Sequence, residues 1–280
     1  MGDIFVEPLS YAFMQRGLVA VVLVSVVSAV IGTFVVLKGL AFIGDALAHS
    51  SFAGVATAFI LGGNIYLGAT IWAVLAALIV GFLRRKAQVS FDTALGIIFA
   101  GGFALGIALI SRVDNYTVDL FSFLFGNVLG VSWADLITIM VMGFIVLGTI
   151  FFLYKDFLFI SYDPTMAAAS GLPVGFLQYC LMVLLGITTV VALKTVGIVL
   201  VVAMLVTPAA AASLLTRRFP LIMLLGAIIG ALSSIGGLYL SFHIQIASGA
   251  AIVLVATAFF MLALLFSPSR GLLVGKERPI

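Results

Sequence analysis

The amino-acid sequence predicts an all-α fold, a polytopic membrane helical bundle of 8–9 transmembrane helices, with residues 1–280 forming a single transmembrane domain. Two observations predict it. Hydrophobic residues make up 64% of the chain and charged residues 8%, with a mean hydropathy of +1.38, whereas a soluble domain carries roughly 25% charge. Nine apolar runs are each close to the roughly 20 residues that a membrane helix needs, and the turns between them are short and carry Gly, Asn, Pro or charge.

Taken in order, Met1 to Ser10 contains Asp3 and Glu7 and has no basic n-region, so it does not read as a signal peptide and the first run stays in the membrane. The first three runs lie at about 17–37, 41–62 and 66–83, and Arg84, Arg85 and Lys86 close the third. Gly39, Gly44 and Gly54 allow a break around the second run, because irregular backbone is tolerated at depth where it lines a cavity. Three full crossings before Arg84 put the N-terminus outside, whereas a broken second run puts it inside. The fourth run, 92–110, starts at Asp92, which fits an N-cap. Ser111 to Ser132 holds Arg112, Asp114, Asp119 and the aromatic stretch Leu120 to Phe125, the composition of a short helix at the outer interface. Asp135 starts the fifth run, 133–153, and Lys155 follows it.

The stretch Ser161 to Pro173 then reads as a two-turn helix. Asp163 suits the N-cap, Pro164 the first helical position, Ala167 to Ala169 the interior, and Gly171 the left-handed terminator with Pro173 beyond it. On residue chemistry alone it is either a connector or a docking surface. The last four runs are 174–194, 196–216, 220–241 and 249–266. Lys194 falls at a span end, where its stem can snorkel. His243 sits beside Ser241 and Gln245 in a solvated turn. Arg217, Arg218, Arg270, Lys276 and Arg278 join Arg84–Lys86 and Lys155 on one side of an alternating bundle, which the positive-inside rule makes cytoplasmic, C-terminus included.

The same rule accounts for the net charge of +3 and the pI near 9.1 without nucleic acid. A single cysteine, Cys180, excludes an internal disulfide or thiolate cluster. No phosphate loop of the form G-x-x-x-x-G-K-[ST], nucleophile elbow, H-E-x-x-H or thiol pair occurs, so the chain does not read as an enzyme. Two residues resist placement in a loop or cap. Asp45 and His49 stand four apart inside an apolar run, on one helical face. A carboxylate at a helix centre costs roughly 2.5–3.5 kcal/mol on insertion, so an intramembrane ionisable pair reads as a functional site. An oxygen and a nitrogen donor side by side suit a borderline divalent metal ion. Two ligands make half a site, and a two-fold axis would supply two more. An early break would place the pair in the outer half of the membrane, facing an arriving ion.

The stretch Gly44-Asp-Ala-Leu-Ala-His-Ser-Ser-Phe-Ala-Gly-Val-Ala56 resembles the signature of the permease subunits of ATP-binding-cassette importers for zinc, manganese and iron. The resemblance continues through Ser90–Gly96, Leu124–Gly126, Asp163–Gly171, Val196–Ala209 and Ser248–Val253, in order along nearly the whole chain. Ala53 departs from the proline that many members carry there. The resemblance implies a plasma-membrane permease of a prokaryote that works as a dimer with a second copy of itself, embedded in membrane lipid. It implies cytoplasmic ATP-binding-cassette ATPase subunits, an extracellular metal-binding solute-binding protein, no permanently bound cofactor, and transported Mn2+ or Zn2+, with Fe2+ as a further candidate. It matches Asp45 and His49 to the metal-contacting pair. It matches the helix at about 163–171, with Asp163, Pro164, Ala168 and Gly171, to the coupling helix that presses on the ATPase. A stand-alone metal carrier or channel is the alternative.

Overall fold

The structure, a computed structural model, describes residues 8–112 and 128–267, leaving out the side chains of residues 194–196, 198 and 199. Its helices are α1 (Ala12–Leu37), α2 (Ile43–Ser50), α3 (Phe52–Ile60), α4 (Ile65–Lys86), α5 (Phe91–Ile110), α6 (Trp133–Phe152), α7 (Tyr154–Tyr162), α8 (Pro164–Ala169), α9 (Val174–Leu215), α10 (Phe219–Ile244) and α11 (Ser248–Phe266). Among the described residues, eight runs are long and apolar enough to cross a membrane, with Leu200–Leu215 as a shorter ninth. The expected outer-interface helix falls largely on 113–127, and Leu124–Gly126 and Arg270 to Arg278 also lie outside the described residues.

Membrane helices associate without a hydrophobic drive between them, so small residues that let backbones approach decide the packing. At the centre α1 lies against α9 and α10: Gly32 faces the Leu205 carbonyl, and Gly230 faces Ser25. The Ser25 hydroxyl is hydrogen-bonded to the Ser234 hydroxyl. The expected runs at 174–194 and 196–216 are separate helical stretches, Val174–Leu193 and Leu200–Leu215, joined across a kink at Gly197, whose φ of 74° and ψ of 173° no side-chain-bearing residue adopts cheaply. The helix resumes below it and returns toward the end from which α9 started: Leu205 faces Gly32, Pro208 and Ala209 face Gly226, and Ser267 bonds the Leu214 carbonyl.

The contacts fix which ends lie together. Lys38 donates to the Ile160 carbonyl, Phe34 packs on Phe157 and Phe219, Arg84 lies over the Phe91 ring, and Arg85 reaches Gly175. Lys38, Arg84–Lys86, Lys155, Arg217 and Arg218 therefore share one end, called here the basic end, together with α8. Tyr11 packs on Phe242 at the opposite end.

Two expectations are corrected. The break in the second run exists, but it is mild. Ser50 and Ser51 hydroxyls bond back to the Leu47 and Ala48 carbonyls at 3.2 and 2.6 Å, a habit that bends helices. Ser51 nevertheless keeps helical angles (φ −62°, ψ −17°), so α2 and α3 cross as one span and three crossings precede Arg84. Asp92 is not the cap of α5: Ser90 is, accepting from the Thr93 N–H at 3.1 Å. Asp135 does cap α6, as one half of a reciprocal box with Ser132.

Candidate metal-transit site

Asp45 lies in the first turn of α2 and His49 one turn on, so helical spacing alone brings their side chains together. The imidazole Nδ1 is 3.0 Å from the Asp45 carboxylate Oδ1 and 3.0 Å from the Asp45 carbonyl oxygen. Both oxygens accept from a protonated Nδ1, which leaves the Nε2 lone pair as the ring's free donor. Nδ1 and Oδ1 can instead share an ion. Two atoms 3.0 Å apart, each about 2.1 Å from a metal, subtend about 90° at it.

The surroundings were not legible as a site. The ring stands in an aromatic corner, with centroids 4.8 Å from Phe99 and 5.6 Å from Phe103 of α5. A cavity of about 230 Å3 opens beside Asp45, lined by Phe42, Ala46, Asp92, Leu95, Gly96 and Phe99. Asp92, read as a cap from sequence, thus faces the same space as Asp45. Only a helix-pairing argument between α2 and α5 could have found it.

That pairing depends on glycines. A Cβ on Gly102 would lie 2.7 Å from the Ser50 Cβ and 2.9 Å from its Cα, and one on Gly106 would lie 2.9 Å from the Phe52 carbonyl carbon. The α5 backbone therefore rests directly on the α2–α3 junction, running parallel to it. The combined run of 18 residues is about 27 Å long, and Asp45 and His49 stand about 3 and 9 Å along it. The pair consequently lies in the half of the bundle nearer the basic end, which replaces the expected outer-half position. No grouping of three or more His, Cys, Asp or Glu side chains able to hold a metal occurs among the described residues.

At the basic end, α8 forms as the sequence predicts. The Asp163 carboxylate accepts from the Thr165 and Met166 N–H groups at 2.9 Å each, Pro164 opens the helix, and Gly171 (φ 85°) ends it while the Leu172 N–H bonds the Ala167 carbonyl. Ala167 is buried; Pro164, Met166 and Ala168 are exposed. His243 is exposed in the last turn of α10, donating from Nδ1 to the Tyr239 carbonyl at 2.9 Å, far from Asp45 at the opposite end.

The model of the ABC 3 transport family matches residues 10–267. The manganese transport system membrane protein MntC of Listeria monocytogenes is 48% identical over 99% of both chains. The chelated iron transport system membrane protein YfeD of Yersinia pestis is 37% identical over 98% of this chain and 92% of its own. Among solved structures, PsaBC from Streptococcus pneumoniae in complex with Fab is similar, with a TM-score of 0.87, 37% identity, and 96% and 98% of the two chains covered.

Proposed function

This chain belongs to the ABC 3 transport family, and we propose that it is the membrane-spanning permease subunit of an ATP-driven importer of manganese(II), with iron(II) the next candidate ion. The observation that carries the reading is the Asp45–His49 pair, two metal donors 3.0 Å apart beside an open cavity in a membrane span. Imidazole beside carboxylate suits manganese, iron(II) or zinc and argues against magnesium or calcium. The relatives that bear manganese and iron in their names order the candidates.

A second copy of the chain completes the site. On α5, Gly96, Ala100, Ala104 and Ala108 form an exposed strip at four-residue spacing that begins at the Asp45 cavity. Small residues in this pattern let two membrane helices approach closely. Two copies packed there bring two carboxylates and two imidazoles around one path, and water or backbone carbonyls fill the remaining positions. The basic end is cytoplasmic by the positive-inside rule, so α8 meets the cytoplasmic ATPase subunits and the ion enters from the end that carries Tyr11 and His243, delivered by an extracellular metal-binding protein. The transit site must release its cargo and so binds more weakly than the delivery protein.

The test is isotope uptake by the reconstituted complex. Asp45→Ala and His49→Ala each abolish ATP-dependent manganese uptake while leaving assembly and basal ATP hydrolysis intact. Wild-type uptake by either variant refutes the site; metal movement that needs no ATP refutes the importer.

A further inference from the structure

The basic end carries a feature that metal transit does not use. Between the last turn of α4 and the first two turns of α9 lies a cavity of about 330 Å3, lined by Gly81, Arg84, Arg85, Gly175, Gln178 and Tyr179, with Val174 and Met182 completing the wall. Arginine at a span end is ordinarily a topology signal that points into water. Here the placement is more specific. The Arg85 Nη1 lies 3.3 Å from where a Cβ on Gly175 would stand, so its guanidinium rests on the first turn of α9. The Tyr179 ring packs directly on Gly81, where a side chain would collide with it. Two glycines, one on each helix, thus seat the guanidinium and the phenol ring.

This arrangement puts positive charge against positive charge. The N-terminus of a helix carries about half a positive charge and unsatisfied N–H groups, and Pro173 at the N-cap of α9 provides no side-chain acceptor for them. Arg85 is set at that end. Arg84 is close by, and Lys38 shares the region: burial first, then the Arg84 charge, holds the Lys38 ammonium below the ordinary lysine range. Among the described residues, the one ion pair is Asp45–His49, so neither arginine has a carboxylate partner among them. The N-terminus of α9, Arg84, Arg85, Gln178 and Tyr179 line one space, and no carboxylate of a described residue pairs with either arginine there. Phe82 and Phe176, next in sequence to the lining residues Gly81 and Gly175, are both well exposed, and the site sits at the end of two membrane-length helices. An apolar flank beside a basic mouth is what a lipid presents its phosphate to.

We propose that the cavity between Arg84, Arg85 and the N-terminus of α9 binds the phosphodiester head group of an anionic phospholipid from the leaflet at the basic end. The phosphate accepts from the two guanidinium groups and from the Gly175 and Phe176 N–H groups of α9, the Val174 N–H being donated to the Leu172 carbonyl. The acyl chains run along the lipid-facing side of α4 and α9. This site is independent of the metal pair, and its occupancy ties α4, which packs on the α2–α3 span, to α9.

The experiment is native mass spectrometry of the full chain in detergent with titrated phosphatidylglycerol or phosphatidylcholine. Thermal unfolding is followed in parallel. The wild type retains one phosphatidylglycerol per protomer at least tenfold more tightly than phosphatidylcholine and unfolds at higher temperature with it. Millimolar inorganic phosphate or glycerol phosphate does not displace it. Arg84→Gln/Arg85→Gln loses the preference at least tenfold, whereas Lys86→Gln, next in sequence but outside the cavity lining, keeps it. Equal retention of the two lipids by the wild type, displacement by inorganic phosphate, or an unchanged preference in the double variant overturns the proposal. The wild-type titration decides the matter even if the double variant fails to fold.

Discussion

Replacing Gly102 by Ala tests whether helix packing positions the metal pair. The added Cβ would stand 2.7 Å from the Ser50 Cβ and 2.9 Å from its Cα. Both are fixed to backbone, so no rotamer change relieves them. Relaxing the 2.7 Å approach to about 3.5 Å requires about 0.8 Å of displacement between α5 and the α2–α3 span. Overpacking of this kind costs roughly 1–3 kcal/mol, and 2 kcal/mol is about a thirtyfold change in the folded-to-unfolded ratio. His49 precedes Ser50, and its ring leans on Phe99 and Phe103 of the helix being pushed away. A site tolerates about 0.5 Å of misplacement, so uptake falls about 10- to 100-fold. The assay pairs thermal unfolding of the purified protein with manganese uptake in cells that lack their own importer. Gly148→Ala is the control: a Cβ there meets nothing within 4 Å, and helix propensity makes it neutral or stabilising by about 0.5–1 kcal/mol. If Gly102→Ala matches Gly148→Ala in both readouts, the proposed packing control of the site is wrong.

Three further outcomes are expected. Gly197→Ala forces a side chain into φ 74°, ψ 173°, which costs about 1–3 kcal/mol and lowers the unfolding temperature; an unchanged melt would contradict the reversal at that residue. Asp163→Ala removes the acceptor of two first-turn N–H groups and costs about 1 kcal/mol. In so short a helix that suffices to fray it, so ATPase co-purification and uptake both decline while Asp163→Asn largely preserves them. Finally, ligation requires neutral imidazole, so manganese uptake declines as falling pH protonates the ring. A flat profile between pH about 5 and 8, with ATPase activity constant, argues against His49 as a ligand.

The spans were legible because a bilayer imposes one strict condition on sequence, a run of apolar residues of fixed length, and eight such runs appear with nearly the anticipated bounds. The α8 helix was legible down to its cap and terminator because Asp163, Pro164 and Gly171 each act on their own backbone within three residues. The depth of Asp45 and His49 was not. It turns on whether Ser50 and Ser51 bend the helix or break it, a small energetic difference between hydroxyl back-bonding and continued helix that residue type does not announce. The role of Asp92 was hidden for another reason. Ser90 and Asp92 are both good caps, and which one serves depends on where α5 starts, which in turn depends on its packing against α2.

The same physics connects the two features that sequence could and could not show. An aspartate and a histidine in a membrane span are affordable only if they satisfy each other, which they do through Nδ1 and Oδ1. That mutual bond makes the pair stable without metal, and it also makes the pair insufficient with metal, since two donors leave a divalent ion largely uncoordinated. The cavity beside Asp45 and the strip of small residues that begins at Gly96 lie on the same side of α5. In the proposed importer, closing that side with a second copy would complete the coordination and exclude lipid in one step. If two copies meet there as proposed, coordination of the ion is coupled to their relative position. In the proposed importer, the packing of α8 on α9, of α9 on α4 and of α4 on α3 is the route by which movement at the basic end reaches the site.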